Sequence, residues 1–213
     1  EAKTDELKTF RLCDLNFNTE LVKINSDENF IVINADKVNT IISASGSHTT
    51  INSNAQFNQL CSTGSYAKIS STGSNNQIVS TGDFSSIISS GFENHIASTG
   101  SNAQIVSSDG LTEITSIGDD AHIITVGRDT FVNSNGNNAV IVCEGRGTKV
   151  KAKKGSLITL TEWWTPSPYK GESEHNFIKR IKTEYVDGVN IKGDTWYEIR
   201  NGEFVETRPY TGH

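Results

Sequence analysis

Along most of this chain an aliphatic residue returns at every ninth position against a polar background. The series runs Ile24, Ile33, Ile42, Ile51, Leu60, Ile69, Ile78, Ile87, Ile96, Ile105, Ile114, Ile123, Val132, Ile141, Val150 without a gap. A fixed period of this kind marks an internal repeat and a stacked architecture. Five residues ahead runs a glycine series: Gly64, Gly73, Gly82, Gly91, Gly100, Gly118, Gly127, Gly136 and Gly145, with Asp109 in the one missing place and Gly110 beside it. Residues 100–108 typify the unit. The glycine is expected to supply the backbone freedom of a tight turn, and the Ser, Asn or Asp after it to brace that turn through its side chain.

The rest of the unit alternates as a strand does. Its inward places are a small residue (Ala67, Ser85, Ala103, Ala121, Ala139), the aliphatic one, and a second small one (Ser62, Ser71, Ser80, Ser89, Ser98, Ser107, Ser116, Thr125, Ser134, Cys143). Such uniform smallness predicts a narrow interior whose buried hydroxyls bond to backbone groups or to each other. One unit cannot close a coil; two can, giving a flattened roll of eighteen residues per turn. The outward residue after the aliphatic one supports two unlike faces. Ile88, Val106, Ile124 and Val142 recur at a spacing of eighteen, interleaved with Ala97, Thr115, Asn133 and Lys151, although Val79 breaks the alternation. The fold class expected is therefore all-β: a two-sided β-solenoid with a small C-terminal β cap. Residues 24–150 have room for about seven turns, a rod of about 34 Å at the usual strand spacing.

A solenoid must cover its terminal strand edges. Residues 1–23 read as an irregular N-terminal cap bearing Phe10, Leu12, Leu15 and Phe17. Residues 151–213 read as a C-terminal β-rich cap or lobe holding all three tryptophans, which are expected to be largely buried. Asp187-Gly188 and Asn201-Gly202 lie between apolar-rich flanks and predict two hairpins of a small antiparallel meander.

With only 34% hydrophobic residues, a chain this polar would be disordered without the repeat. Its 19 basic and 25 acidic residues argue against general nucleic-acid binding. Residues 24–150 carry eleven acidic and five basic side chains, a charge too thinly spread for close DNA mimicry. No apolar run is long enough to cross a membrane. Cys13, Cys61 and Cys143 lie far apart and form no metal or redox motif, which favours a reducing compartment. The first residue is Glu1, so processing of the N-terminus is one expectation.

The run Gly155-Ser-Leu-Ile-Thr-Leu-Thr-Glu-Trp163, then Val186-Asp-Gly-Val-Asn-Ile-Lys-Gly-Asp-Thr-Trp-Tyr197 and Asn201-Gly-Glu-Phe-Val-Glu206, resembles the C-terminal end of a family of small phage- and prophage-encoded proteins. These proteins carry nonapeptide repeats ahead of that end. The resemblance is specific over about 145–206 and loose over the repeats, which here favour Ile and Asn over Ala; Thr165–Asn176 looks like an insertion. It implies a phage or mobile-element origin, with the virion or host cytoplasm as the expected location and secretion as an alternative. It implies no catalytic residues and no cofactor.

No catalytic set is legible. There is no Gly-x-Ser-x-Gly elbow, and Glu93 and Glu113 share no ladder. Calcium-type nonapeptides carry a recurring Asp that is missing here, so Asp119, Asp120 and Asp129 read as solvated turn residues. His95 and His122 fall on opposite faces, and no metal site is expected. The threonines beside the glycines (Thr63, Thr72, Thr81, Thr99) do not continue as a flat ice-binding row. Two candidate binding features remain. The outward row Ile88, Val106, Ile124 and Val142, widened by Val140, would form an apolar stripe that docks a second copy, a target, or the chain's own residues 151–182 folded back. Trp163, Trp164 and Tyr169 would stack on a sugar or a partner, or pack the cap. The expected function is non-enzymatic: presentation of binding surfaces to a protein or glycan, with homodimerisation favoured. A polysaccharide-active, tailspike-like enzyme is the alternative and a DNA mimic a minor one.

Overall fold

The computed structural model describes residues 8–11, 22–164 and 177–209. Two ten-stranded sheets face each other across a narrow core. The first contains β1 (Lys8–Arg11), β3 (Ile31–Ala35), β5 (Thr50–Ser53), β7 (Lys68–Ser71), β9 (Ser86–Ser89), β11 (Gln104–Ser107), β13 (His122–Thr125), β15 (Val140–Cys143), β17 (Leu157–Trp164) and β18 (Phe177–Tyr185). The second contains β2 (Val22–Ser26), β4 (Thr40–Ala44), β6 (Gln59–Ser62), β8 (Gln77–Ser80), β10 (His95–Ser98), β12 (Glu113–Ser116), β14 (Phe131–Ser134), β16 (Lys149–Ala152), β19 (Thr195–Arg200) and β20 (Glu203–Glu206). The chain alternates between the sheets at every repeat, and the repeat strands pair in parallel. The expected two-sided β-solenoid is what the chain forms.

Both aliphatic ladders stand in register. Ile69, Ile87, Ile105, Ile123 and Ile141 stack in the first sheet, and Ile78, Ile96, Ile114, Val132 and Val150 in the second. All ten are buried. The solenoid reaches further towards the N-terminus than the repeat pattern, because Lys8–Arg11 pairs in parallel with β3 inside the segment expected to be irregular. At the other end the last coil is one residue short: Ile141 pairs with Ile158 instead of position 159.

The glycines have a different task from the one expected. The left-handed residue of each turn lies two places later, with φ of 52–59° at Phe30, Asn39, His48, Phe57, Tyr66, Asn75, Phe84, Glu93, Asn102, Leu111, Asp120, Asp129 and Asn138. This conformation turns each residue's N–H along the rod axis, as in Tyr66 N–H to Asp83 O at 2.9 Å and Phe84 N–H to Ser101 O at 2.9 Å. The glycines are needed because adjacent coils almost touch. A Cβ on Gly100 would lie 2.2 Å from the carbonyl oxygen of Gly82, and one on Gly64 would lie 2.0 Å from that of Gly46. Ala55, which occupies a glycine place, shows the effect of such a Cβ. The flanking inter-coil bonds Asn54 N–Ala35 O and Asn39 N–Gln56 O both stretch to 3.4 Å. Gly100→Ala is therefore expected to cost about 1–3 kcal/mol, while Asn102→Gly, at a left-handed position, leaves the melting temperature unchanged or raises it. Equal losses from the two substitutions would remove the distinction.

Polar residues complete the interior. On one side Asn58, Asn76 and Asn94 stack at eighteen-residue steps. The Nδ2 of Asn94 donates to Ser89 Oγ and Gly91 O, both at 2.7 Å, and its Oδ1 accepts the N–H of Asn76 at 2.7 Å. Thr112, Thr130 and Thr148 continue this column, each hydroxyl reaching a carbonyl three residues back. Ser80 and Ser85 bond to each other at 2.7 Å. The expectation that every interior hydroxyl is partnered fails elsewhere. Ser98, Ser116 and Ser134 in the second sheet and Ser107 and Thr125 in the first have no partner among the described residues. The place five residues on, where Asn76 and Asn94 serve Ser71 and Ser89, holds Ala103, Ala121 and Ala139 for the former and Thr112 and Thr130, already bonded to carbonyls, for the latter.

The C-terminal cap is not a meander. Asn201-Gly202 does turn the hairpin β19–β20, with φ of 53° and 80°. Asp187-Gly188 instead forms a crossing between sheets. The Asp187 carboxylate accepts the N–H groups of Val189, Asn190 and Ile191 at 2.7, 2.8 and 3.1 Å. The Val189 bond above all holds its pKa below the usual carboxylate range. Antiparallel β18 extends the first sheet beyond β17, and β19 with β20 extends the second beyond β16. Between them lie Ile158, Leu160, Val186, Ile191 and Tyr197, all buried. The tryptophans are half-buried: Trp163 and Trp164 end β17, and Trp196 stands on the outer face of the second sheet opposite Lys151.

Candidate binding surfaces

Each outward column of a sheet collects one residue per coil, so its chemistry follows from every eighteenth residue. In the first sheet one column reads Asn34, Asn52, Ser70, Ile88, Val106, Ile124, Val142, Thr159, Thr183. Ile88, Val106 and Ile124 are 51%, 37% and 43% exposed. Val142 is half-buried. Val140 lies on the same face but in the neighbouring column, after His122 and before Leu157 and Tyr185. The five residues therefore form a stripe four members long with Val140 at its side. Exposed Val126 lies beside the row, and Leu157 widens it at the C-terminal end.

The fold-back is not how the stripe is occupied by the described residues. Residues 151–164 and 177–182 lengthen the two sheets past the last repeats and leave the row open. On the second sheet the equivalent column is Cys61, Val79, Ala97, Thr115, Asn133, Lys151, with no comparable run of exposed aliphatics. His95 lies on this sheet, 3.1 Å from Glu113, and His122 on the other.

The aromatic candidates separate. Trp163 Nε1 donates to Glu144 O at 2.6 Å, which ties the strand end to the coil below. Trp164 stacks on Phe177 at 4.8 Å, and Trp196 meets Phe131 edge-on at 6.2 Å with Lys151 over its ring. Tyr169 lies outside the described residues. These contacts give Trp163 and Trp164 structural partners and bring them together at the end of β17.

A second aromatic feature was missed in the sequence. Phe30, His48, Tyr66 and Phe84 occupy successive left-handed corners and stack at 4.6, 4.9 and 5.1 Å with planes within 19° of parallel. His48 and Tyr66 are stacked on both faces and Phe30 and Phe84 on one, and Phe30, Tyr66 and Phe84 remain 44%, 48% and 50% exposed. The eighteen-residue spacing two places after the glycine position was the available signal.

An open groove of about 690 Å³ separates the last turns from the terminal hairpin, lined by Asp129, Phe131, Lys149, Glu198, Arg200 and Arg208 among others. Its components are already engaged: Glu198 pairs with Arg200, and Lys149 Nζ donates to Arg208 O at 2.8 Å. No group of three or more His, Cys, Asp or Glu side chains able to hold a metal occurs among the described residues. Cys61 and Cys143 are free thiols on opposite sheets, and burial pushes the Cys143 thiol far up. No family model matches the chain, nor does any curated protein or solved structure.

Proposed function

We infer that this is a non-catalytic β-solenoid, of the phage or prophage type that its C-terminal sequence resembles, which works by offering a flat face to a macromolecular partner. The observation that carries the reading is the exposed, in-register row of aliphatic side chains Ile88, Val106 and Ile124 on adjacent strands of one sheet face. Isolated surface aliphatics are ordinary, but a contiguous row marks a contact site. Adjacent parallel strands hold these side chains about 4.8 Å apart, so the face is rigid and preorganised. A protein or glycan surface with its own flat apolar strip is the complementary partner, a second copy of the chain included. Such a role suits a virion or host-surface component, or an inhibitor of a bacterial target.

The test uses Val106→Lys/Ile124→Lys, two exposed positions where substitution leaves the interior intact. The double variant is expected to melt with the wild type and to lose the ligands that wild-type bait retains from bacterial envelope extracts and glycan arrays. Retention of every ligand by the folded double variant would overturn the reading. So would release of reducing ends from bacterial polysaccharides by the wild type, which would place the chain among glycan-active enzymes.

A further inference from the structure

We propose that two copies of this chain join end to end by antiparallel pairing of β18 with β18 of the second copy, centred on Thr183. The proposal does not depend on the apolar stripe. It concerns the end of the first sheet, where β18 is the last strand among the described residues.

Backbone direction along β18 is fixed by its neighbours. Leu157 N–H bonds to Ala139 O at 2.8 Å, so Leu157, Thr159 and Thr161 address β15, and Ile158, Leu160 and Glu162 address β18. Val186 confirms the phase from the other side, with Val186 N–H to Ser156 O and Gly155 N–H to Val186 O, both 2.9 Å. Glu184 and Lys182 thus spend their N–H and C=O groups on β17. Ile181, Thr183 and Tyr185 direct theirs to the open edge. The hydroxyls of Thr159 and Thr183 lie 2.9 Å apart, as expected of an antiparallel pair that exchanges no backbone bonds.

A two-fold axis through Thr183 matches this phase. Thr183 then faces Thr183 of the other copy, and each Ile181 faces a Tyr185, so about six backbone hydrogen bonds close the junction. The side chains agree. Ile181 and Tyr185, 62% and 55% exposed, come together twice on the outer face. On the inner face each Lys182 meets a Glu184 of the other copy, so opposite charges stand across the junction. The alternative axis through Ile181 would set Arg180 against Lys182, with like charges opposed.

The second sheet ends differently. Its last strand, β20, is only Glu203–Glu206, and pairing about its centre would oppose Glu203 to Glu206. Short length and like charge blunt that edge, whereas the nine residues of β18 present a long one. Glu203 and Glu206 are themselves held by Lys182 and Lys192, whose pKa values these contacts raise. Approach of the second sheets therefore brings together paired charges rather than bare carboxylates.

Sedimentation equilibrium and small-angle X-ray scattering on the full chain test the proposal. Ten strands span about 43 Å along the rod, and two rods joined at β18 span about 91 Å. The wild type is expected to dimerise at micromolar concentration with its longest dimension slightly more than doubled. Thr183→Pro removes an N–H that faces the open edge and none that bonds β17, so it should give a folded monomer. Ile181→Lys should do the same without touching the backbone. Val106→Lys/Ile124→Lys should leave this dimer intact, which separates failure here from failure of the stripe. A wild-type monomer at high micromolar concentration would overturn the proposal, as would a dimer that thickens without lengthening. A lengthened dimer that survives Ile181→Lys in folded protein would do so equally.

Discussion

Ile105→Asp is expected to abolish the cooperative unfolding transition and leave the chain protease-sensitive. Ile105 is fully buried between Ile87 and Ile123 on one ladder, at the middle of the rod. No cation waits there among the described residues; the inward neighbours are Ala103 and Ser107, and the single unpartnered hydroxyl of Ser107 cannot balance a buried carboxylate. An aspartate must enter as an unpaired charge or take up a proton, and either outcome costs several kcal/mol. That is a large part of the 5–15 kcal/mol that usually holds a domain. The position matters as much as the amount. In a solenoid each coil is stabilised by its two neighbours, so a break in the middle uncouples both halves. Gln104→Asp places the same charge one residue earlier on the exposed face and should melt close to the wild type. Circular dichroism melts of the two variants make the comparison. If Ile105→Asp melted within a few degrees of the wild type, the interior ladder would be misassigned.

A chain ending at Ala152 is expected to aggregate on expression. The cut takes β17 from β15 and β19 from β16, opening a full set of backbone donors and acceptors on both sheets at once. It also removes the closure of the core's end. Arg180 donates to Asn201 O at 2.9 Å, Asn201 N–H to Glu162 at 2.9 Å, and Lys182 reaches Glu203, so polar links cross from one sheet to the other over the last buried residues. Size-exclusion chromatography of the truncated and complete chains decides the matter. A soluble, monodisperse 1–152 would show that the solenoid tolerates its bare end and that 153–209 serves another purpose.

The core was legible because each interior place is sampled once per repeat, so Ile69 to Ile141 announce one ladder and Ile78 to Val150 the other. The turn was misread because glycine has two distinct uses. It drew attention to position 100, where space is short, and away from position 102, where the backbone is left-handed and carries Asn. The same habit hid the Phe30–Phe84 stack, since aromatic residues are unusual in left-handed geometry and are held there by inter-coil bonds and by one another. Asp187-Gly188 has the composition of a hairpin, but its carboxylate captures three backbone N–H groups and carries the chain across the core instead. The row Ile88 to Val142 was visible as spacing. Its freedom from the described residues of the cap was not, because sequence gives the direction of a side chain but not what lies over it.

The identity of register from coil to coil also governs how such a gene can change length. Loss of eighteen codons within the repeats, for example those for residues 91–108, returns every column to its own kind: Thr112 over Asn76 at one corner, Ala121 over Ser85 at the other. Nine codons would not. They would carry each downstream strand to the opposite sheet, set Asn94 against alanines and divide the apolar row between two faces. Slips by one nonapeptide are therefore expected to disrupt the rod, while slips by two keep its register. Natural relatives should differ in length by whole coils, with rods that lengthen in steps of about 4.8 Å.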